Sequence, residues 1–125
     1  MSESKATIPH FYLRSLVNMD RAVEVRAAFK EEAVEGETVP SLNDFVVKAA
    51  AIALKRHPMA NAAFRDGHFE LYPKVNVGIA VATEGSLVVP VIKDADHLTL
   101  TEISDETRRL AGRVRLSRKR ESVPA

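Results

Sequence analysis

From Val75 to Ile92 the chain reads VNVGIAVATEGSLVVPVI, apolar almost throughout except around Glu84-Gly85-Ser86. A strand with one wet face alternates apolar and polar residues, whereas a strand covered on both faces is apolar nearly everywhere. The pattern predicts two strands, Val75 to Thr83 and Leu87 to Ile92, folded around a small polar loop. It also raises a question of supply, because 125 residues must provide the cover for both faces.

Elsewhere the apolar period lengthens. Ser41 to Pro58, SLNDFVVKAAAIALKRHP, predicts a helix: Ser41 stands as N-cap with Asp44 three residues on, Lys55, Arg56 and His57 suit the C-terminal end of the dipole, and Pro58 blocks continuation. Its middle is apolar all round apart from Lys48, as in a helix buried on most of its circumference. A looser stripe through Val23, Val25, Ala27, Phe29 and Val34 predicts an earlier helix, capped by Asp20 and ended by Gly36. Thr99 with Glu102 opens a third as a capping box, expected to run from about Leu100 to Arg115 over Ile103, Leu110 and Val114. Asp66-Gly67 predicts a tight hairpin between Ala62 to Arg65 and His68 to Tyr72, and the branched and aromatic run His10 to Val17 predicts a first strand. The expected class is α/β of the α+β type, with a mixed sheet flanked by helices.

Composition narrows the function. With 46% hydrophobic and 28% charged residues the chain has a core to build, and its formal charge of +1 gives no general attraction for nucleic acid or an anionic membrane. Neither a membrane span nor a leader is expected from the start MSESKATIPH, which makes the cytoplasm the default. The absence of cysteine removes disulfides, thiolate metal sites and a cysteine nucleophile. The charge imbalance is local: Arg108, Arg109, Arg113, Arg115, Arg118, Lys119 and Arg120 crowd one short span. A solvated helix face followed by a frayed end accounts for them better than nucleic acid does, because no aromatic is interleaved for base stacking.

The four histidines lack metal spacing, and no metal site is expected. His57 reads as a helix-end cap, His68 as an exposed hairpin residue, and His97, beside Asp94 and Asp96, as a loop residue. Neither a phosphate-cradling glycine motif nor G-x-S-x-G occurs. Spacing alone shows no catalytic constellation.

Four blocks, ESKATIPHFYL, SLNDFVVKAAAIALKRHP, VNVGIAVATEGSLVVPVIKDAD and LTEISDETRRLA, closely resemble in order and spacing the first half of the catalytic domain of dihydrolipoamide acyltransferases, the cores of 2-oxo acid dehydrogenase complexes. RHPMANAAFRDG is similar, more weakly, to chloramphenicol acetyltransferase, which shares the fold. The resemblance implies a trimer in which acyl groups pass between dihydrolipoamide, carried on a lipoyl domain, and coenzyme A in a channel between subunits. Both are substrates, and no covalently bound cofactor is expected in this chain. Such chemistry asks for a base to take a thiol proton and a donor to hold an oxyanion. The family supplies them from D-H-R-x-x-D-G and F-T-I-S-N-L-G-like stretches, and neither occurs in these 125 residues.

No catalytic residue is therefore assigned. His10 and Tyr12 fall on the strand whose family counterpart borders the channel and stand as channel candidates, with ordinary strand packing as the plainer account. Asn43 in SLNDF reads as a helix-start hydrogen-bonding residue. Residues 1–112 are expected to form the N-terminal portion of an acyltransferase domain and 113–125 a basic, disordered tail. The expected polypeptide is a truncated one from a split or frameshifted gene, inactive alone. The alternative is a non-catalytic assembly module that binds full-length acyltransferase subunits. Either way a homo-oligomer or association with such subunits is expected, and the chain alone should expose an apolar patch beyond the few hundred Å² of an ordinary monomer.

Overall fold

The computed structural model describes residues 2–121. Three helices, α1 (Ser2–Thr7), α2 (Asp20–Glu32) and α3 (Leu42–Arg56), precede six short strands, β1 (Ala62–Arg65), β2 (His68–Leu71), β3 (Val77–Gly78), β4 (Val81–Thr83), β5 (Ser86–Val88) and β6 (Val91–Ile92), and a fourth helix, α4 (Leu100–Glu121), follows them. The helix signals act as expected at α3. Asp44 N–H donates to Ser41 Oγ (3.2 Å) and Ser41 N–H to Asp44 Oδ2 (2.8 Å), a reciprocal capping box, and the helix stops at Arg56 before Pro58. At α4, Thr99 Oγ1 accepts the Glu102 N–H and donates to Glu102 Oε1, both at 3.2 Å. At α2 the cap differs from expectation. Asp20 is the first helical residue, Met19 is the N-cap without a side-chain bond, and Asn18 Oδ1 receives the Asp20 N–H.

The apolar stretch forms one antiparallel hairpin. Thr83 faces Ser86, Val81 faces Val88, Gly78 faces Val91 and Val77 faces Ile92, a single register held across both ladders. The interruption between them has a local cause. Ile79 N–H donates to Pro90 O at 2.9 Å, but Pro90 has no N–H to return the bond, so the pairing is continuous while the ladder is not. Gly85, at φ +76°, makes the two-residue turn with Glu84; Ser86 belongs to the strand, its Oγ 2.8 Å from Thr83 Oγ1. The other hairpin closes on Asp66 (φ +50°) and Gly67 (φ +79°), the positive-φ pair a type I′ turn requires, with Arg65 opposite His68. All pairings among the described residues are antiparallel.

One face of the long hairpin carries the core. Val47 and Ala51 of α3, Val75, Ile92 and Ala95 around the hairpin, and Ile103 of α4 are buried together, with Leu54, Val77, Ile79, Leu98 and Leu110 packed at the edge. The opposite face is bare: Leu87, Val89 and Val91 are exposed, each across from or beside a small residue of the facing strand, Ala82, Ala80 or Gly78. The question raised by the sequence is thereby answered. Both faces are apolar, and this chain covers one.

Other apolar residues are equally uncovered. The run His10 to Val17, expected as a strand, has no regular structure and no ladder partner, and Phe11, Tyr12, Leu13, Leu16 and Val17 are exposed, Leu16 completely (104%). Strand propensity needs a neighbouring strand to be realised, and among the described residues none pairs with this run. The chain's accessible surface is 10135 Å², against about 6,600 Å² for an ordinary folded monomer of its mass. That excess of roughly half fits a body shaped to be covered by another.

The basic C-terminal stretch also departs from expectation. Instead of ending near Arg115, α4 continues to Glu121, because Arg, Leu, Lys and Glu are good helix formers and no stop signal intervenes. Gly112 is accommodated within it. Residues 122–125 lie outside the described part.

Candidate functional site

Two clusters hold the candidate side chains. The first lies at the N-terminus, where α1 and the irregular segment after it bring Lys5, His10 and Tyr12 together. The His10 and Tyr12 rings meet edge to face with centroids 5.6 Å apart. Lys5 Nζ donates to the Tyr12 hydroxyl (3.5 Å) and lies 5.9 Å from its ring centroid, while His10 Nδ1 is 3.2 Å from Ile8 O. All of these groups are exposed; Tyr12 is 76% accessible. Histidine and phenol thus share one face, but no wall stands opposite them.

The second cluster joins α3 to the turn before α4. Lys48 Nζ donates to Asp96 O (3.2 Å) and to Leu98 O, an arrangement in which a lysine on an otherwise apolar helix spends its charge on backbone carbonyls. The Asp96 carboxylate is nearly buried, 9% accessible, with Oδ2 3.8 Å from Lys55 Nζ and 3.5 Å from His97 Nε2. His97 itself is exposed (69%). Of its two expected acidic neighbours the fold brings Asp96 close, while Asp94 adopts the left-handed conformation (φ +50°) and is held through its N–H to Asn76 Oδ1 (3.0 Å). This is a clasp between elements. It has no nucleophile and no open face for a substrate.

The remaining histidines stay apart. His57 caps α3 with its N–H bonded to Ala53 O, and His68 lies on β2, 3.8 Å from Glu70 Oε1. Asn43 is exposed in the first turn of α3 without a side-chain bond of its own, the capping being carried by Ser41 and Asp44. Among the described residues no three His, Asp or Glu side chains are placed to hold a metal ion, and no helix is long and apolar enough to cross a membrane. Sequence reading passed over Lys5 and the partners of Lys48. The signal for the second was present, since a lone charge in an apolar helix requires a polar partner.

On α4, Arg109 Nε donates to Glu106 Oε2 at 2.9 Å, the second guanidinium nitrogen reaching Oε1. The hydrogen bond from Arg109, more than the charges of Arg109 and Arg113, holds the Glu106 carboxyl below its ordinary value of 4.5 against the opposing effect of burial. A depressed folded pKa means that the contribution is present above the ordinary glutamate range and is lost as pH falls through the depressed value. Stability of the wild type minus that of Glu106→Gln is therefore expected to be positive at pH 6 and to shrink below about pH 4.5. Thermal melts across that range check it; a difference that grows in acid would contradict it.

Residues 1–122 match the family model described as 2-oxoacid dehydrogenases acyltransferase (catalytic domain). The chain is 43% identical over 110 residues to the dihydrolipoyllysine-residue acetyltransferase component 3 of the pyruvate dehydrogenase complex, mitochondrial, of Arabidopsis thaliana, covering 86% of this chain and 20% of that protein. It is 39% identical over 112 residues to the corresponding component of Rickettsia prowazekii, covering 86% and 27%. Among solved structures, the Azotobacter vinelandii dihydrolipoamide acetyltransferase superposes with a TM-score of 0.85 at 26% identity, over 93% of this chain and 49% of that one. A truncated catalytic core of the 2-oxoacid dehydrogenase multienzyme complex from Thermoplasma acidophilum gives 0.80 at 30% identity, over 93% and 53%. This chain thus spans about half of those solved chains and 20% and 27% of the two curated relatives. With its hairpins and helices laid out as in those cores, the chain belongs to the 2-oxoacid dehydrogenase acyltransferase family, matching the catalytic domain.

Proposed function

We propose that this chain supplies the N-terminal half of an acyltransferase catalytic domain that moves acyl groups between dihydrolipoamide and coenzyme A, and that it is silent until the second half of the domain covers it. The observation that carries the reading is the set of exposed apolar side chains in 10–17 and on the outer hairpin face, on a fold that spans about half of the solved catalytic cores. In this reading the segment bearing His10 and Tyr12 becomes a strand once the second half provides its neighbour, and the two side chains then line the substrate channel. They position substrate. The thiol base and the oxyanion donor come from the second half, since no D-H-R-x-x-D-G stretch lies within these 125 residues.

The test is an acetyl-coenzyme A and dihydrolipoamide assay on the purified chain, alone and mixed with the complementary half of a relative's catalytic domain. No turnover alone and turnover in the mixture is the expected result. Turnover by the chain alone would overturn the reading. A stable complex with a full-length relative that adds no activity would favour the assembly-module alternative.

A further inference from the structure

Charge is segregated along the chain in a way that acyl transfer does not require. Residues 108–121 hold seven cationic residues and one glutamate, a net of +6, so the rest of a chain whose total is +1 holds −5. The first two turns of α4 carry Glu102, Asp105 and Glu106 without a cation, and the end of α2 and the turn after it carry Glu31, Glu32, Glu35 and Glu37. These two acidic stretches meet in a groove lined by Phe29, Glu32, Ala33, Glu37, Thr101 and Asp105. Its lining joins the apolar Phe29 and Ala33 to three carboxylates, Glu32, Glu37 and Asp105.

The far end of α4 is its complement. Arg108 and Arg109 are drawn back onto the body, to Val39 O (3.1 Å) and Glu106 respectively. Arg113, Arg115 and Leu116 are exposed, Leu116 to 64%, although the charge of Arg113 also reaches Glu106 about two turns back. A leucine in a cationic arc is of no use against a phosphate backbone, but it suits a groove lined by both apolar and acidic side chains. The helix cannot satisfy its own groove. Leu116 lies about 16 Å beyond Asp105 along one straight helix.

We propose that the last turns of α4 dock into the α2–α4 groove of a second copy of this chain, Leu116 against Phe29 and Ala33, and Arg113 and Arg115 against Glu32, Glu37 and Asp105. The contact is heterologous, joining two different patches, so repeated copies form an open chain or a ring. It uses α2 and α4 and not the bare hairpin face, so it and the half-domain reading fail independently.

Charge reversal tests it through sedimentation velocity on the full chain. One variant carries Glu32→Lys with Asp105→Lys, the other Arg113→Glu with Arg115→Glu; all four positions are exposed, and far-UV circular dichroism verifies that the fold is kept. At low salt the wild type is expected to show an average mass on the order of twofold or more above either variant, an excess lost at about 0.5 M salt, where screening is short-ranged. Association through the apolar faces would instead be common to all three proteins and would not weaken with salt. Mixing the two variants should restore pairing, since the basic helix of the first fits the acidic groove of the second and the acidic helix of the second fits the basic groove of the first, so that the two alternate. No pair on mixing, or a wild-type mass equal to that of the variants at low salt, overturns the proposal. So does retention of duplex DNA by the wild type without pairing of the variants, which would assign the basic helix to a polyanion.

Discussion

Ile103→Ala is expected to abolish the cooperative unfolding transition of the isolated chain. Ile103 is completely buried and is one of only two isoleucines in a six-residue core whose other members are valines and alanines. Removing a buried isoleucine to alanine costs about 2–5 kcal/mol. An ordinary domain has about 5–15 kcal/mol in total, and a chain that leaves this much apolar surface in water sits at or below the bottom of that range. The loss is therefore comparable with the whole. Guanidinium titration followed by far-UV circular dichroism should show a sigmoidal curve for the wild type, a displaced one for Ile103→Val, and a featureless slope for Ile103→Ala. A midpoint for Ile103→Ala equal to that of the wild type would show that the core lies elsewhere.

Lys48→Met should destabilise by about 2 kcal/mol, with a local signature that distinguishes it from a core defect. Lys48 is the only link in which a charge on α3 holds two carbonyls of the turn before α4, Asp96 O and Leu98 O, among the described residues. Losing it leaves both carbonyls less well satisfied and loosens the second half of the 94–98 turn, where His97 and Leu98 N–H bond only Asp94 O and Ala95 O, while Asp94 and Ala95 N–H stay anchored to Asn76 Oδ1 and Val75 O. Hydrogen exchange at His97 and Leu98 should accelerate more than at α3. Lys48→Arg is not expected to restore protection, because a planar guanidinium does not reproduce the placement of a compact ammonium between two carbonyls. Uniform acceleration across the chain would contradict the clasp.

What the sequence disclosed depended on how local the deciding interaction is. The α3 capping box, the Asp66-Gly67 turn and the 75–92 hairpin are decided by residues a few positions apart, and all stand where the pattern predicts them. The run His10 to Val17 carried an equally strong strand signal and pairs with nothing, because strand formation needs a partner that this chain does not bring to it. At α4 the start was legible from Thr99 and Glu102, but the end was not, since a charged stretch of good helix formers gives no stop before Pro124. In the first cluster, the contact between His10 and Tyr12 is local, the two standing two positions apart in the sequence. The capture of Lys48 by a turn some fifty residues later could be foreseen only as a need for a partner, not as the partner's identity.

In the proposed reading the exposed apolar surfaces are interior surfaces of a domain completed by its second half. Its most direct test is hydrogen exchange at residues 10–17 and 86–91, for the chain alone and for the chain mixed with the complementary half of a relative's catalytic domain. The account predicts fast exchange through residues 10–17 in the isolated chain, with strong protection there and along the outer hairpin face once the complementary half binds. Protection of 10–17 already in the monomeric chain, or none gained in a complex that turns over acyl-coenzyme A, would contradict it.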